Sequence, residues 1–123
     1  MDNDGYRLPN IEELKDICTV KNISKLKWEL DYYWASTICT YNMSKAWSMN
    51  FRYGYDGMYY KGSSYYIRAV REGQYREFDN SDRFQVLNKD EVMDTKTKLI
   101  WKTEIVRLNW YDATEYVENL NNL

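Results

Sequence analysis

The stretch from Tyr32 to Arg71 restricts the fold more than any other part of the chain, because aromatic residues recur there with a period of two. In Ala46-Trp47-Ser48-Met49-Asn50-Phe51-Arg52-Tyr53, successive side chains of an extended backbone point to opposite sides, so Trp47, Met49, Phe51 and Tyr53 are expected on one face. Tyr33-Trp34-Ala35-Ser36-Thr37 precedes it as a further aromatic strand. Gly54-Tyr55-Asp56-Gly57 reads as a turn, Met58-Tyr59-Tyr60 as a short returning strand, and Gly62-Ser63-Ser64 as a second turn. Tyr65 to Arg71 then gives another strand with Tyr66, Arg68 and Val70 on one face. The pattern is that of an antiparallel meander.

Helical signals flank it. Asn10 is a natural N-cap, Glu13 stands three residues on as in a capping box, and Ile11, Leu14 and Cys18 share a face, which predicts a helix over 11–18. Residues 19–31 read mostly as loop. Near the other end Asn109 caps a helix in which Trp110, Ala113, Val117 and Leu120 form one apolar stripe. Between lie a polar linker at 72–82, a strand at 83–87, and a hairpin pairing 92–94 with 99–102. The order helix, strands, linker, strands, helix is α+β, expected as a single domain over 1–123.

Composition excludes several chemistries. Among 123 residues there is no His, which removes Ser-His-Asp and Cys-His nucleophile systems, His-ligated zinc and an imidazole base. Residues 1–74 carry 10 basic and 9 acidic side chains and residues 75–123 carry 7 and 10, so neither half is a basic patch for nucleic acid or an anionic membrane. No apolar run reaches the length of a membrane span, and no membrane insertion is expected. Met1-Asp2-Asn3-Asp4 is unlike a basic signal-peptide start, so the chain as written is not expected to carry an export signal. Cys18 and Cys39 are either two buried thiols or one disulfide closing a loop of about 20 residues, which would contribute roughly 3 kcal/mol. Neither His nor a Cys cluster exists to hold a structural ion, so no metal or organic cofactor is expected.

Whole phrases carry a family resemblance. Gly5-Tyr6-Arg7-Leu8-Pro9-Asn10-Ile11-Glu12-Glu13-Leu14, Tyr33-Trp34-Ala35-Ser36-Thr37, Ala46-Trp47-Ser48-Met49-Asn50-Phe51 and Tyr66-Ile67-Arg68-Ala69-Val70-Arg71 resemble, in order, "WRLPN-x-x-EL", "YWSST", "AW-x-V-x-F" and "YVRCVR" of the Lcl C-terminal domain family, named after the end of a Legionella collagen-like adhesin. Tyr6 stands where that family usually has Trp, and Ala69 where it often has Cys. Arg83-Phe84, Val92 to Lys102 and Leu108-Asn109-Trp110-Tyr111-Asp112-Ala113 resemble the family's opening phrases, "RF…TVTD-x-x-TGLMW" and "LTW-x-x-A", with Lys98 in place of a usual Gly. Residues 1–71 thus look like the family's second half and 83–123 like its first. The order is that of a circular permutation, or of a unit completed by swapping halves between chains into a dimer or filament.

The resemblance implies a C-type-lectin-like antiparallel sheet with two short helices, similar also to formylglycine-generating-enzyme-like folds. It implies a non-enzymatic module, extracellular or at a cell surface, that binds glycans such as sulfated polysaccharides, or proteins. A structural subunit assembling by exchange of halves is the alternative.

The chain is 17% aromatic, with 13 Tyr against 3 Phe, a bias suited to rings buried at one end and wet at the other. Tyr53, Tyr55, Asp56, Tyr59, Tyr60 and Lys61 gather around the Gly54–Gly57 turn, where rings can stack on sugar faces and polar groups can fix hydroxyls. The plainer alternative is a hairpin whose rings pack across strands. Asp90, Glu91 and Asp94 lack the spacing of a calcium loop and are expected in a solvated turn. Glu12 and Glu13 suit the negative first turn of a helix, and Arg68 and Arg71 read as framework residues pairing with strand neighbours or carbonyls.

Overall fold

The computed structural model describes residues 5–73 and 82–122. Its architecture is α+β: two α-helices and nine strands among the described residues. Helix α1 spans Ile11–Thr19 and starts as the sequence predicts: Asn10 accepts from the Glu13 N–H at 2.8 Å, and the Glu13 carboxylate accepts from the Asn10 N–H at 2.8 Å. A short 3-10 turn over Lys21–Ile23 follows. Helix α2 spans Trp110–Leu120, with Asn109 accepting from the Asp112 N–H.

Strands β1 (Tyr32–Ile38), β2 (Lys45–Asn50), β3 (Tyr55–Tyr60), β4 (Tyr65–Ile67) and β9 (Val106–Leu108) form a first sheet in the order β3-β2-β1-β4-β9. Strands β5 (Val70–Glu72), β6 (Phe84–Asn88), β7 (Glu91–Asp94) and β8 (Leu99–Lys102) form a second, in the order β5-β8-β7-β6. Both segments of the chain contribute to both sheets, since β4 pairs with β9 and β5 with β8.

The first sheet is covered on both sides. One face packs with α1 and the second sheet around Leu14, Ile17, Tyr33, Met49, Phe51, Phe84 and Trp101. The other receives α2 through Ala113 and Val117, against Trp34, Ala46 and Ile67. Each large apolar side chain buried in these layers contributes roughly 1.5–3 kcal/mol. Trp34 and Trp101 are fully buried, while Trp47 and Trp110 are half-buried against the two clusters. Cys18 and Cys39 are buried free thiols.

Four local readings are corrected. The turn after β2 falls at 51–54, where Gly54 takes a positive φ of 76°, and Asp56 and Gly57 belong to β3. Tyr53 therefore leaves the face shared by Trp47, Met49 and Phe51. The expected strand over 65–71 breaks after Ile67, and its two pieces join different sheets. Arg68 sits at this switch: buried, it stacks 4.3 Å from the Trp28 ring and donates to the carbonyls of Lys102, Thr103 and Lys27. Burial pushes its guanidinium down to about 10 despite the opposing influence of Tyr33.

Glu91 and Asp94 are not solvated. Glu91 lies 2.7 Å from Arg71 Nε, and Asp94 takes a two-pronged contact of 2.9 and 2.9 Å from Arg83. Lastly, β9 is a strand the sequence pattern did not announce, and Glu72 of the expected 72–82 linker pairs in β5. Residues 74–81 of that linker lie outside the described residues.

Candidate functional site

Alternation along three neighbouring strands builds a tyrosine surface on the side of the first sheet that carries α2. Tyr32 of β1, Asn50 of β2 and Tyr55 of β3 are directly opposite one another across the strands, forming one row. Tyr65 of β4 stacks on Tyr32 with centroids 4.9 Å apart and also touches Trp34 at 4.7 Å, tying the row to the core beneath α2. Tyr59 enters from farther along β3. A Cβ at Gly57 would stand only 3.0 Å from the Tyr59 ring, so the absence of a side chain there lets that ring lie against the strand and reach Tyr32 edge-on at 4.9 Å. At the outer end, Tyr53 and Tyr55 hold parallel planes, 1° apart, with centroids separated by 6.3 Å.

The hydroxyls converge as the rings do. Tyr32 and Tyr55 oxygens are 2.9 Å apart, Tyr59 donates to Tyr32 at 3.5 Å, and the Asn50 amide donates to Tyr55 at 3.5 Å. Asn50 is itself fixed by the turn, since its Oδ1 accepts from the N–H groups of Arg52 and Tyr53 at 2.9 Å each. Hydrogen bonds from Tyr55, Tyr59 and Asn50 lower the Tyr32 phenol below its usual value, whereas the bond to Tyr32, with desolvation, raises Tyr55 and Tyr59. Such a set of groups can stack on a flat apolar face and exchange hydrogen bonds with hydroxyls.

Of the six residues the sequence singled out, Tyr53, Tyr55 and Tyr59 belong to this surface. Asp56 and Tyr60 alternate to the opposite face, where Asp56 lies 3.7 Å from Lys15 Nζ and Tyr60 sits under Lys45 Nζ at 4.7 Å. Lys61 is buried, its Nζ 4.4 Å above the Trp110 ring. Tyr32, Asn50 and Tyr65 join the surface without having been singled out. Tyr32 was available from its i, i+2 relation to Trp34, but Asn50 and Tyr65 depend on register between strands.

Behind the same turn, α1 and β2 enclose a cleft of about 340 Å³ lined by Lys15, Cys18, Thr19, Lys21, Met49 and Gly54. Burial raises the Cys18 thiol above its usual value, with Lys21 opposing, so it is poorly disposed to act as a thiolate. Among the described residues, no group of three or more Cys, Asp or Glu side chains is placed to hold a metal ion. Nor is any helix among them long and apolar enough to cross a membrane.

Residues 1–71 match the family model of the Lcl C-terminal domain. No curated protein and no solved structure matches the chain.

Proposed function

Because the chain belongs to the Lcl C-terminal domain family, we propose that it is a recognition module of a surface-associated protein, without catalytic activity, that binds glycans through the tyrosine row of its first sheet. The observation that carries this reading is the convergence of the Tyr32, Tyr55 and Tyr59 hydroxyls beside ring faces that remain in part exposed. Sugars offer hydroxyls that donate and accept, next to a face of C–H groups. Phenols answer both at once, and their rigid rings lose little entropy on binding.

A glycan array probed with the wild-type chain and with Tyr32→Ala and Tyr55→Ala tests it. Retention of particular glycans by the wild type, lost in both variants while their circular dichroism is unchanged, is the expected result. Retention untouched by either substitution, or of proteins alone, would overturn it. The alternative of a subunit that exchanges halves predicts a native mass of a dimer or more. Within the chain β4 pairs with β9 and β5 with β8, the pairings that an exchange of halves would move between chains.

A further inference from the structure

Charge around the tyrosine row narrows its ligand, and this step rests on the glycan reading above. The hydrogen bonds among Tyr32, Tyr55, Tyr59 and Asn50 are phenol to phenol or amide to phenol, with no lysine or arginine nitrogen in them. The nearby lysines are engaged elsewhere: Lys61 over Trp110, Lys45 over Tyr60 and Lys15 beside Asp56. Arg52 turns its Nε toward the Leu30 carbonyl at 3.4 Å. A carboxylate stands at the row itself. Asp31, whose carboxylate accepts from the Tyr32 N–H at 2.7 Å, bears on Tyr32 and Tyr65, and Arg107 opposes it at Tyr65.

A sulfate or uronate lying along the rings would meet the Asp31 carboxylate beside Tyr32, while Arg107, paired with Tyr66, stands on the opposite face of the sheet. An uncharged sugar meets no such penalty. The rings extend along the surface rather than closing a pocket: Tyr53 and Tyr55 lie parallel 6.3 Å apart and Tyr32 follows 6.4 Å on with its ring turned 72° to Tyr55, with Tyr53 71% and Tyr55 45% exposed. We infer that the tyrosine row binds a run of uncharged hexopyranose residues in a glycan chain, in preference to sulfated or uronic-acid chains. Stacking and hydroxyl exchange supply the affinity, so binding depends little on salt, unlike an interaction that releases counterions from an anionic polymer.

Calorimetric titration of the full chain with cellohexaose, laminarihexaose, mannohexaose and chitohexaose, beside a heparin hexasaccharide and hexagalacturonate, each at 50 and 500 mM NaCl, tests the inference. At least one neutral hexaose is expected to bind with an affinity that changes less than twofold between the two salts and exceeds that of its disaccharide by tenfold or more. Tyr55→Ala should lower that affinity at least tenfold, and Tyr55→Phe, which keeps the ring, by much less. Binding confined to the anionic oligosaccharides, falling tenfold or more at high salt, would overturn the inference. If Tyr55→Ala still abolished that binding, the glycan reading would stand without its neutral ligand. Absence of binding by every oligosaccharide would remove both.

Discussion

Acid should unfold this protein partly through one carboxylate. Glu91 accepts from Arg71 Nε at 2.7 Å, from the Tyr6 hydroxyl, and from Asn88 at 3.1 Å, and its side chain is only 11% exposed. Burial alone would raise its pKa, but these donors together outweigh it and bring Glu91 from 4.5 to about 2. A lowered folded-state value means that the contribution is complete above the unfolded pKa and disappears as pH falls through the folded one. The shift corresponds to about 3 kcal/mol at neutral pH, present above about 4.5 and lost progressively down to about 2.

Glu91→Gln removes the charge and leaves the half-buried Arg71 without its carboxylate. Urea unfolding followed by tryptophan fluorescence, for both proteins from pH 7 to pH 2, measures the difference directly. The wild type should lead by about 3 kcal/mol at pH 7 and by less than about 1 kcal/mol at pH 2. A gap that stays constant across that range would show that the ionised form of Glu91 is not what the fold stabilises.

Lys98 adopts a positive φ of 65° in the β7–β8 turn, a conformation that disfavours a residue with a Cβ, so Lys98→Gly should stabilise by about 0.5–1 kcal/mol and raise the melting temperature by a few degrees in calorimetry. Gly57→Val places its side chain against the Tyr59 ring and should cost about 1–3 kcal/mol, while Gly62→Val, with nothing within 4 Å of its Cβ, should cost less than about 0.5 kcal/mol in the same urea assay. Asn121→Ala removes two hydrogen bonds to the Tyr6 backbone, of 2.6 and 2.9 Å, and should cost about 1–2 kcal/mol and speed amide exchange at Tyr6.

What the sequence made legible was local. Asn10 with Glu13, and Asn109 ahead of its apolar stripe, place both helices because caps and periodicity act within a few residues. The period-two run around Trp47 and Met49 places β2 for the same reason. Tertiary pairing was not legible in that way. β9 is three residues, Val106, Arg107 and Leu108, with little alternation to detect, and it is a strand because β4 offers it an edge. The break at Arg68 likewise depends on carbonyls from residues 27, 102 and 103, which no window around Arg68 contains. The tyrosine site was half legible on the same grounds: Tyr53, Tyr55 and Tyr59 cluster in sequence, while Asn50 and Tyr65 join them only through strand register.

The segment before α1 and the end of α2 meet at Tyr6. Here Asn121, just beyond α2, bonds both backbone groups of Tyr6, and Gly5 approaches it so closely that a Cβ would stand 3.0 Å from the Asn121 side chain. A side-chain clamp therefore holds the residue that follows α2 to the segment that precedes α1. Tyr6 in turn reaches Glu91 with its hydroxyl, and its ring lies 5.7 Å from the Arg71 guanidinium and 5.2 Å from Lys102 Nζ. Tyr6 thus links the clamp to the ion pair between β5 and β7. A tryptophan at that position could stack on the same cations but has no hydroxyl to offer Glu91. Loosening of Tyr6 should consequently be felt at Glu91, and the Asn121→Ala and Glu91→Gln effects should fall short of additivity when the two substitutions are combined.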